Sequence, residues 1–255
     1  MDQEVTPLTT RDQLLLLTGH HPYAMLNAAG GDALRAYAAG HTVVWFNPTT
    51  GGASALGDPT TAVRLLARLL REGGTIDPAL DRPPQIRRLH LPRTPTSLLA
   101  AHLAIGKPDH WDFRWTRQAP PAQPGQERVT RLQAADTPAV RRLLDLAFPA
   151  AFSRPGDPRV RQWYGIWADG ELVACGADRS RGGVASLGAL AVHPDRRGRG
   201  LGAALTAAMA TQLLREFPIA TLGVMVDNQP ARHLYRRLGF TATAERTSVD
   251  LVTGA

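Results

Sequence analysis

Apolar and polar positions along this chain fall into short runs whose period switches repeatedly between two and about 3.6, and the switching is clearest after residue 128. Val129–Leu132 reads as a short strand, and Asp136 stands in a cap position before a helix from about Pro138 to Phe148. Residues 149–160 are loop-like. Gln162–Ala168 and Glu171–Ala177 read as strands joined at Asp169-Gly170, a hairpin dipeptide. Val184–Val192 follows as a strand and Gly200–Glu216 as a helix, with Leu201, Leu205, Met209 and Leu213 on one apolar stripe. Ile219–Asp227 is a strand and Pro230–Leu238 a helix, and residues 240–252 hold one or two closing strands. The order predicts an α+β (mixed α/β) fold, a sheet carrying helices on its faces.

The segment Arg117–Glu127 has no periodicity and is dense in proline and glycine, as a linker would be. The expected division is therefore residues 1–117, a linker at 118–127, and 128–255. In the first part, Thr42–Phe46 and Ser54–Leu56 read as strands, and Pro59–Glu72 as a helix with Val63, Leu66 and Leu70 on one face. Gln85–Leu91 is a strand, Pro95–Ile105 a helix and His110–Thr116 a strand. That order repeats what residues 184–244 do. His20 and His21 read as turn residues, and Trp111 and Trp115 share one strand face.

Composition narrows the picture. Apolar residues make up 44% of the 255 and charged residues 20%, the profile of a globular protein. No apolar run is long enough to span a bilayer, the opening Met1-Asp-Gln-Glu lacks a basic n-region, and Cys175 is the single cysteine. A cytoplasmic setting without disulfides, metal or membrane is expected. The net charge of +7 is almost wholly arginine, since Lys107 is the only lysine. The arginines are dispersed rather than gathered in an arm, which points to a general preference for anions rather than to nucleic acid.

The candidate chemistry lies where Val184–Val192 turns into the next helix, through His193-Pro-Asp-Arg-Arg-Gly-Arg-Gly-Leu-Gly202. Gly198, Gly200 and Gly202 let the backbone adopt unusual dihedrals and approach a ligand closely. The helix beginning at Leu201 leaves its first N–H groups unpaired, with the positive end of its dipole facing outward. A pyrophosphate is the natural occupant, and Arg196, Arg197 and Arg199 add charge at the rim. The bland alternative is a glycine-rich turn with solvated arginines. Gly198-x-Gly200-x-x-Ala203 formally matches a dinucleotide fingerprint, but too little chain follows for a doubly wound sheet. A Walker loop is excluded, because no lysine follows the glycines.

One strand later stands Asn228-Gln-Pro-Ala-Arg-His-Leu-Tyr-Arg-Arg-Leu-Gly-Phe240. With this, residues 128–252 resemble the GNAT superfamily of acyl-CoA-dependent N-acyltransferases. The family's Arg-x-x-Gly-x-Gly turn is met by Arg197, Gly200 and Gly202. Its later Asn-x-x-Ala-x-x-Leu-Tyr-x-x-x-Gly-Phe pattern is met by Asn228, Ala231, Leu234, Tyr235, Gly239 and Phe240. Leu190-Ala-Val-His-Pro194 is also typical.

The resemblance implies transfer of an acetyl or other short acyl group from acyl-CoA, with acetyl-CoA as co-substrate, to an amine acceptor. It places the pantetheine arm between two splayed strands, held by backbone groups of Leu190 and Val192, and the phosphates against residues 197–202, Gly198, Arg199 and Leu201 included. Gly188 is then a candidate for the bulge that starts the splay. By the same carry-over Tyr235 protonates the departing thiolate and Asn228 holds the pantetheine. Read alone, Tyr235 is equally a core aromatic and Asn228 a helix cap. Val184–Val192 contains no carboxylate to serve as general base; Asp178, Asp227 and His193 remain open as candidates. Residues 149–162 are expected to shape the acceptor pocket. The first part of the chain is either a degenerate GNAT-like half that cannot bind CoA or an unrelated α/β domain. The alternatives in function are an inactive CoA-binding regulatory module and a basic nucleic-acid-binding protein.

Overall fold

The computed structural model of the protein describes residues 4–28, 34–47, 51–71 and 86–252; Glu72 and Gln85, predicted ends of a helix and a strand, lie outside them. Two compact units make up the chain: residues up to Phe113 together with those from Ala244 onward, and Arg114–Thr243.

The first unit comprises β1 (Val5–Leu8), α1 (Arg11–Leu17), α2 (Pro22–Asn27), β2 (Arg35–Ala39), β3 (Thr42–Asn47), β4 (Gly52–Leu56), α3 (Pro59–Arg71), β5 (Arg88–Pro92), α4 (Thr96–Ala100) and most of β6 (Asp109–Thr116). The elements before β3 are additions to the sequence reading. The four successive leucines of α1 hide its period, and Leu16 is left 69% exposed. The local signal for α1 is its start, where Thr10 and Gln13 form a reciprocal capping box. β2 is an alanine-rich strand with no large apolar residue but Tyr37 to mark its inner face. His20 does occupy a turn, at a φ of 52°, whereas His21 caps α2 through its ring. Val44, Phe46, Ala53, Leu66, Leu89 and Leu99 form the core.

In the second unit lie β7 (Thr130–Arg131), α5 (Thr137–Ala147), β8 (Gln162–Ala168), β9 (Glu171–Asp178), β10 (Ala185–Val192), α6 (Leu201–Leu213), β11 (Ala220–Met225) and α7 (Gln229–Arg237). α6 packs on one face with Ile166, Val173, Leu205, Met209 and Leu222. α5 covers the other with Val140, Leu143 and Leu144 against Leu172, Cys175 and Ala191. α6 is buried well beyond its leucine stripe, through Ala203, Ala204, Ala207 and Ala210.

The two boundaries fall at other residues than the division expected from the sequence. The proline-rich segment after Arg117 does not separate the units: Arg114 already belongs to the second, where its Nη1 donates to the Phe240 carbonyl at 3.3 Å. The closing strand β12 (Ala242–Asp250) crosses back, and Arg246–Asp250 pair antiparallel with Arg88–Pro92 of β5. Apolar patterning could not show this, because its buried stretch contains Arg246, Thr247 and Ser248.

One pairing scheme occurs twice. β1-β2, β2-β3 and β3-β4 are antiparallel and β4-β5 parallel across the α3 crossover. β7-β8, β8-β9 and β9-β10 are antiparallel and β10-β11 parallel across α6. In each unit the parallel pair holds register over three residues only, Gly52–Ser54 with Arg88–His90 and Ala185–Leu187 with Ala220–Leu222.

Where β4 and β5 part, the Nη2 of Arg246 donates to the carbonyls of Ala55 and His90, both at 2.9 Å. This guanidinium is 1% exposed and lies 3.9 Å over the Tyr23 ring. Burial first, then its positive charge, pushes His21 down to about 4. Burial also takes His90 to about 4, with Arg88 and then Arg246 adding to it. Both rings are therefore neutral at pH 7, and Arg246 closes the fork with a single buried cation. Arg246→Met should lower stability by about 2–4 kcal/mol, from two buried carbonyls left without donors. Urea unfolding of the full chain measures this; a loss near zero would mean that the carbonyls find other donors.

Candidate active site

Beyond Leu187, β10 pairs with β9 on one side and, among the described residues, with no strand on the other. Ala189 and Leu190 stand opposite the single residue Gly176, a β-bulge. The residue with left-handed backbone is Ala189, at a φ of 47°, not the expected Gly188. A side chain is rare in that region and indicates local strain held by the surroundings. Gly176 permits the bulge: a Cβ there would lie 2.7 Å from the Met209 sulfur and 2.8 Å from Leu190 Cδ2.

A 3₁₀ turn at Pro194–Arg196 leads from β10 to the glycines. Gly198 and Gly200 have φ values of 75° and 78°, and a Cβ on either would meet nothing within 4 Å. Both are thus required by conformation, with open space before them. Gly200 occupies the N-cap of α6 and brings no side chain to the helix's first N–H groups. Gly202 is different. Its Cβ position lies 3.6 Å from Leu234 and 3.7 Å from Val192, so β10, α6 and α7 converge there. Leu201 is half-buried at the first helical position.

The arginines divide. Arg197 is exposed but engaged, donating from Nε to the Val192 carbonyl and from Nη2 to that of Ala147, both at 3.3 Å. It ties the end of β10 to the end of α5 rather than lining the turn. Arg196 pairs with Asp169 at 3.1 Å. Arg199 is exposed and has no ion pair among the described residues.

On α7, the Asn228 side chain accepts from the Ala231 N–H at 3.2 Å, so its oxygen is a helix cap. Tyr235 is 8% exposed, packs edge-on against Phe240, and burial pushes its hydroxyl up to about 12. It is both a core aromatic and a phenol that stays protonated. The candidates for general base are mostly engaged. Asp178 is buried and accepts from the Ser180 N–H and hydroxyl, with Arg161 3.5 Å away. His193 caps the 3₁₀ turn. Asp227 is exposed.

The corresponding turn of the first unit is built oppositely. Asp58 precedes α3 and accepts from both the N–H and the hydroxyl of Thr61 at 2.8 Å. The first unit thus supplies its own anion where α6 has none.

Residues 131–240 match the model of the acetyltransferase (GNAT) family. The second unit is a GNAT domain. Over 78 residues, 30% of the chain, the protein is 44% identical to a mycothiol acetyltransferase from Clavibacter michiganensis; the match spans 26% of that enzyme. A GNAT-family protein from Novosphingobium aromaticivorans aligns with 94% of this chain and 97% of its own at 21% identity and a TM-score of 0.58. A tandem GNAT protein from the clavulanic acid biosynthesis pathway covers 100% of both chains at 16% identity, with a TM-score of 0.50. These likenesses establish a mixed α/β GNAT-like fold, and the tandem neighbour agrees with the pairing scheme found twice here. No helix among the described residues is long and apolar enough to cross a membrane, and none of their His, Cys, Asp and Glu side chains form a group of three that could hold a metal ion.

The contrast between the two turns is testable in the first unit. Its Thr61 hydrogen bonds hold the Asp58 carboxyl below the usual carboxylate range. A depressed value stabilises the folded state above the unfolded pKa, and that contribution disappears as pH falls through the folded one. Asp58→Ala should therefore cost about 0.5–2 kcal/mol near neutrality, as for other N-caps. The gap to wild type should shrink in acid, measured by urea unfolding at pH 7 and pH 3. An unchanged gap would refute the cap as the source.

Proposed function

We propose that the protein transfers an acetyl or other short acyl group from acyl-CoA to a primary amine, directly and within a ternary complex. The observation that carries this reading is the uncapped N-terminus of α6, opened by Gly198 and Gly200 beside the point where β10 leaves β11. Unpaired N–H groups and the helix dipole suit a pyrophosphate. The edge of β10 from Gly188 to Val192 offers backbone groups to an amide-bearing arm, with Leu190 and Val192 the residues proposed to hold it. Gly198, Arg199, Gly200, Leu201 and Gly202 are proposed to face the phosphates. Arg197 contributes by fixing the end of β10, and Asn228 by setting the start of α7.

In the reaction, the acceptor nitrogen forms a bond to the thioester carbonyl carbon, the carbon–sulfur bond breaks, and the sulfur leaves as a thiolate. Tyr235 supplies a proton to that sulfur and is reprotonated from solvent, which also takes the proton released by the acceptor nitrogen. Its apolar surroundings keep the phenol neutral, the form that can donate. The first unit takes no part in cofactor binding, because Asp58 and Arg246 occupy its turn and its fork; one acetyl-CoA per chain is expected.

Two substitutions at Gly200 test the phosphate site. Asn and Asp both tolerate left-handed backbone, and Asp adds a charge that favours a helix N-terminus. Gly200→Asp should weaken acetyl-CoA binding by about tenfold more than Gly200→Asn while leaving the fold at least as stable. Calorimetry decides it; equal affinities would overturn the assignment. The chemical role is tested by Tyr235→Phe, which keeps the packed ring. It should lower kcat by about 100-fold with little change in the acetyl-CoA Kd. An unaltered kcat on a good acceptor would remove Tyr235 from the chemistry.

A further inference from the structure

The loop between α5 and β8 and the end of β9 meet over the bulge of β10. A Cβ on Gly188 would lie 3.0 Å from Arg179 Cδ and 3.9 Å from the Ser153 hydroxyl oxygen. Arg179 therefore lays its hydrocarbon stem across the backbone one residue before the strained Ala189. This is where β10 has just lost its pairing with β11. Ser153, 2% exposed, comes from the loop segment expected to shape the acceptor pocket.

The guanidinium of Arg179 has no hydrogen-bonded counter-ion among the described residues. Its Nε is buried without a hydrogen-bond partner, and among the described residues the side chain makes no hydrogen bond or close ion pair. The nearby carboxylates serve other groups. Asp157 accepts from Arg159 Nε at 2.9 Å and Nη2 at 3.0 Å, and from the Arg159 N–H at 3.0 Å. Asp178, the preceding residue, is engaged by Ser180 and Arg161. Burial, and then the charge of Arg159, pull Arg179 below the usual arginine range. The charge of Asp157 offsets this only in part, because that carboxylate is already engaged by Arg159, and a half-buried cation in this position gains from a further anion.

We propose that Arg179 binds a carboxylate carried by the acceptor, so that the preferred substrates are amines that are also acids. The inference rests on the acyl-transfer reading, which puts the reacting carbonyl beside the bulge. A planar guanidinium matches a carboxylate with two parallel hydrogen bonds. Arg179 Cδ fills the space where a Gly188 side chain would stand, so the glycine lets the arginine's stem lie close to β10.

Calorimetry with acetyl-CoA comes first: no binding would overturn the acyl-transfer reading itself. With binding in hand, kcat/KM is measured for alanine, β-alanine and glutamate against their amides, with phosphoethanolamine and spermidine as further arms. The acids should exceed the amides by about tenfold or more, because a site built for a charged group rejects analogues lacking it. Arg179→Met should bring acids and amides within about threefold of each other by raising KM for the acids alone, and Arg179→Lys should restore part of the preference. Equal use of amides by the wild type would overturn the proposal. So would a preference that survives Arg179→Met, or a leading rate with spermidine or phosphoethanolamine. If no amine of the panel turns over, the Arg179 Nε–H resonance of the acetyl-CoA complex is titrated with β-alanine and its amide. A shift with the acid only supports the assignment, and no shift overturns it.

Discussion

Two parallel strands that part after three residues leave peptide groups on their inner edges without ladder partners, and a buried peptide group must find a partner somewhere. This molecule meets that constraint twice, in opposite ways. At the fork of β4 and β5 the partner is internal: one buried guanidinium, drawn from the last strand of the chain, donates to a carbonyl on each side. At the fork of β10 and β11 no side chain bridges the strands in this way among the described residues. The crossover helices repeat the contrast. α3 begins on the Asp58 carboxylate, whereas α6 begins on a glycine with nothing to offer its N–H groups. On the proposed function these are one difference, between a backbone satisfied from within and a backbone satisfied by a ligand.

What the sequence shows depends on how locally each feature is specified. The hairpin at Asp169-Gly170, the strands around it and the glycine turn were legible because period, turn chemistry and positive φ all act within a few residues. The bulge was legible only approximately. Gly188 draws the eye, yet the left-handed residue is Ala189, held there by the packing of Leu190 and Met209 over Gly176. Such a conformation comes from tertiary contacts, and no local rule assigns it to alanine. The return of β12 to the first unit was hidden for a related reason. Three of its four buried residues are polar, and they are satisfied by groups far along the chain, such as Thr94 and His90.

The arginines show why charge alone is a poor guide to function. Arg246 is internal, Arg197 ties two elements by their carbonyls, and Arg161 bridges Glu216 and Asp178. Arg88 is shared between Asp109 and Asp250. Each performs a structural task that its planar, multidentate head suits better than lysine would. Part of the arginine content is thus internal to the fold rather than surface charge. Arg179 stands apart because its neighbours are occupied and its position faces the bulge.

The acid–base chemistry follows from the same bookkeeping. β10 carries no carboxylate, Asp178 is fixed by Ser180 and Arg161, and His193 holds a turn. On the proposed mechanism, with these groups engaged, the acceptor's ammonium proton passes to solvent. Tyr235, pushed up to about 12, does not titrate in the range where amines do. On the proposed mechanism, a rise of rate with pH therefore reports the acceptor's own nitrogen. An acceptor whose amine is already acidic gains least from alkaline conditions.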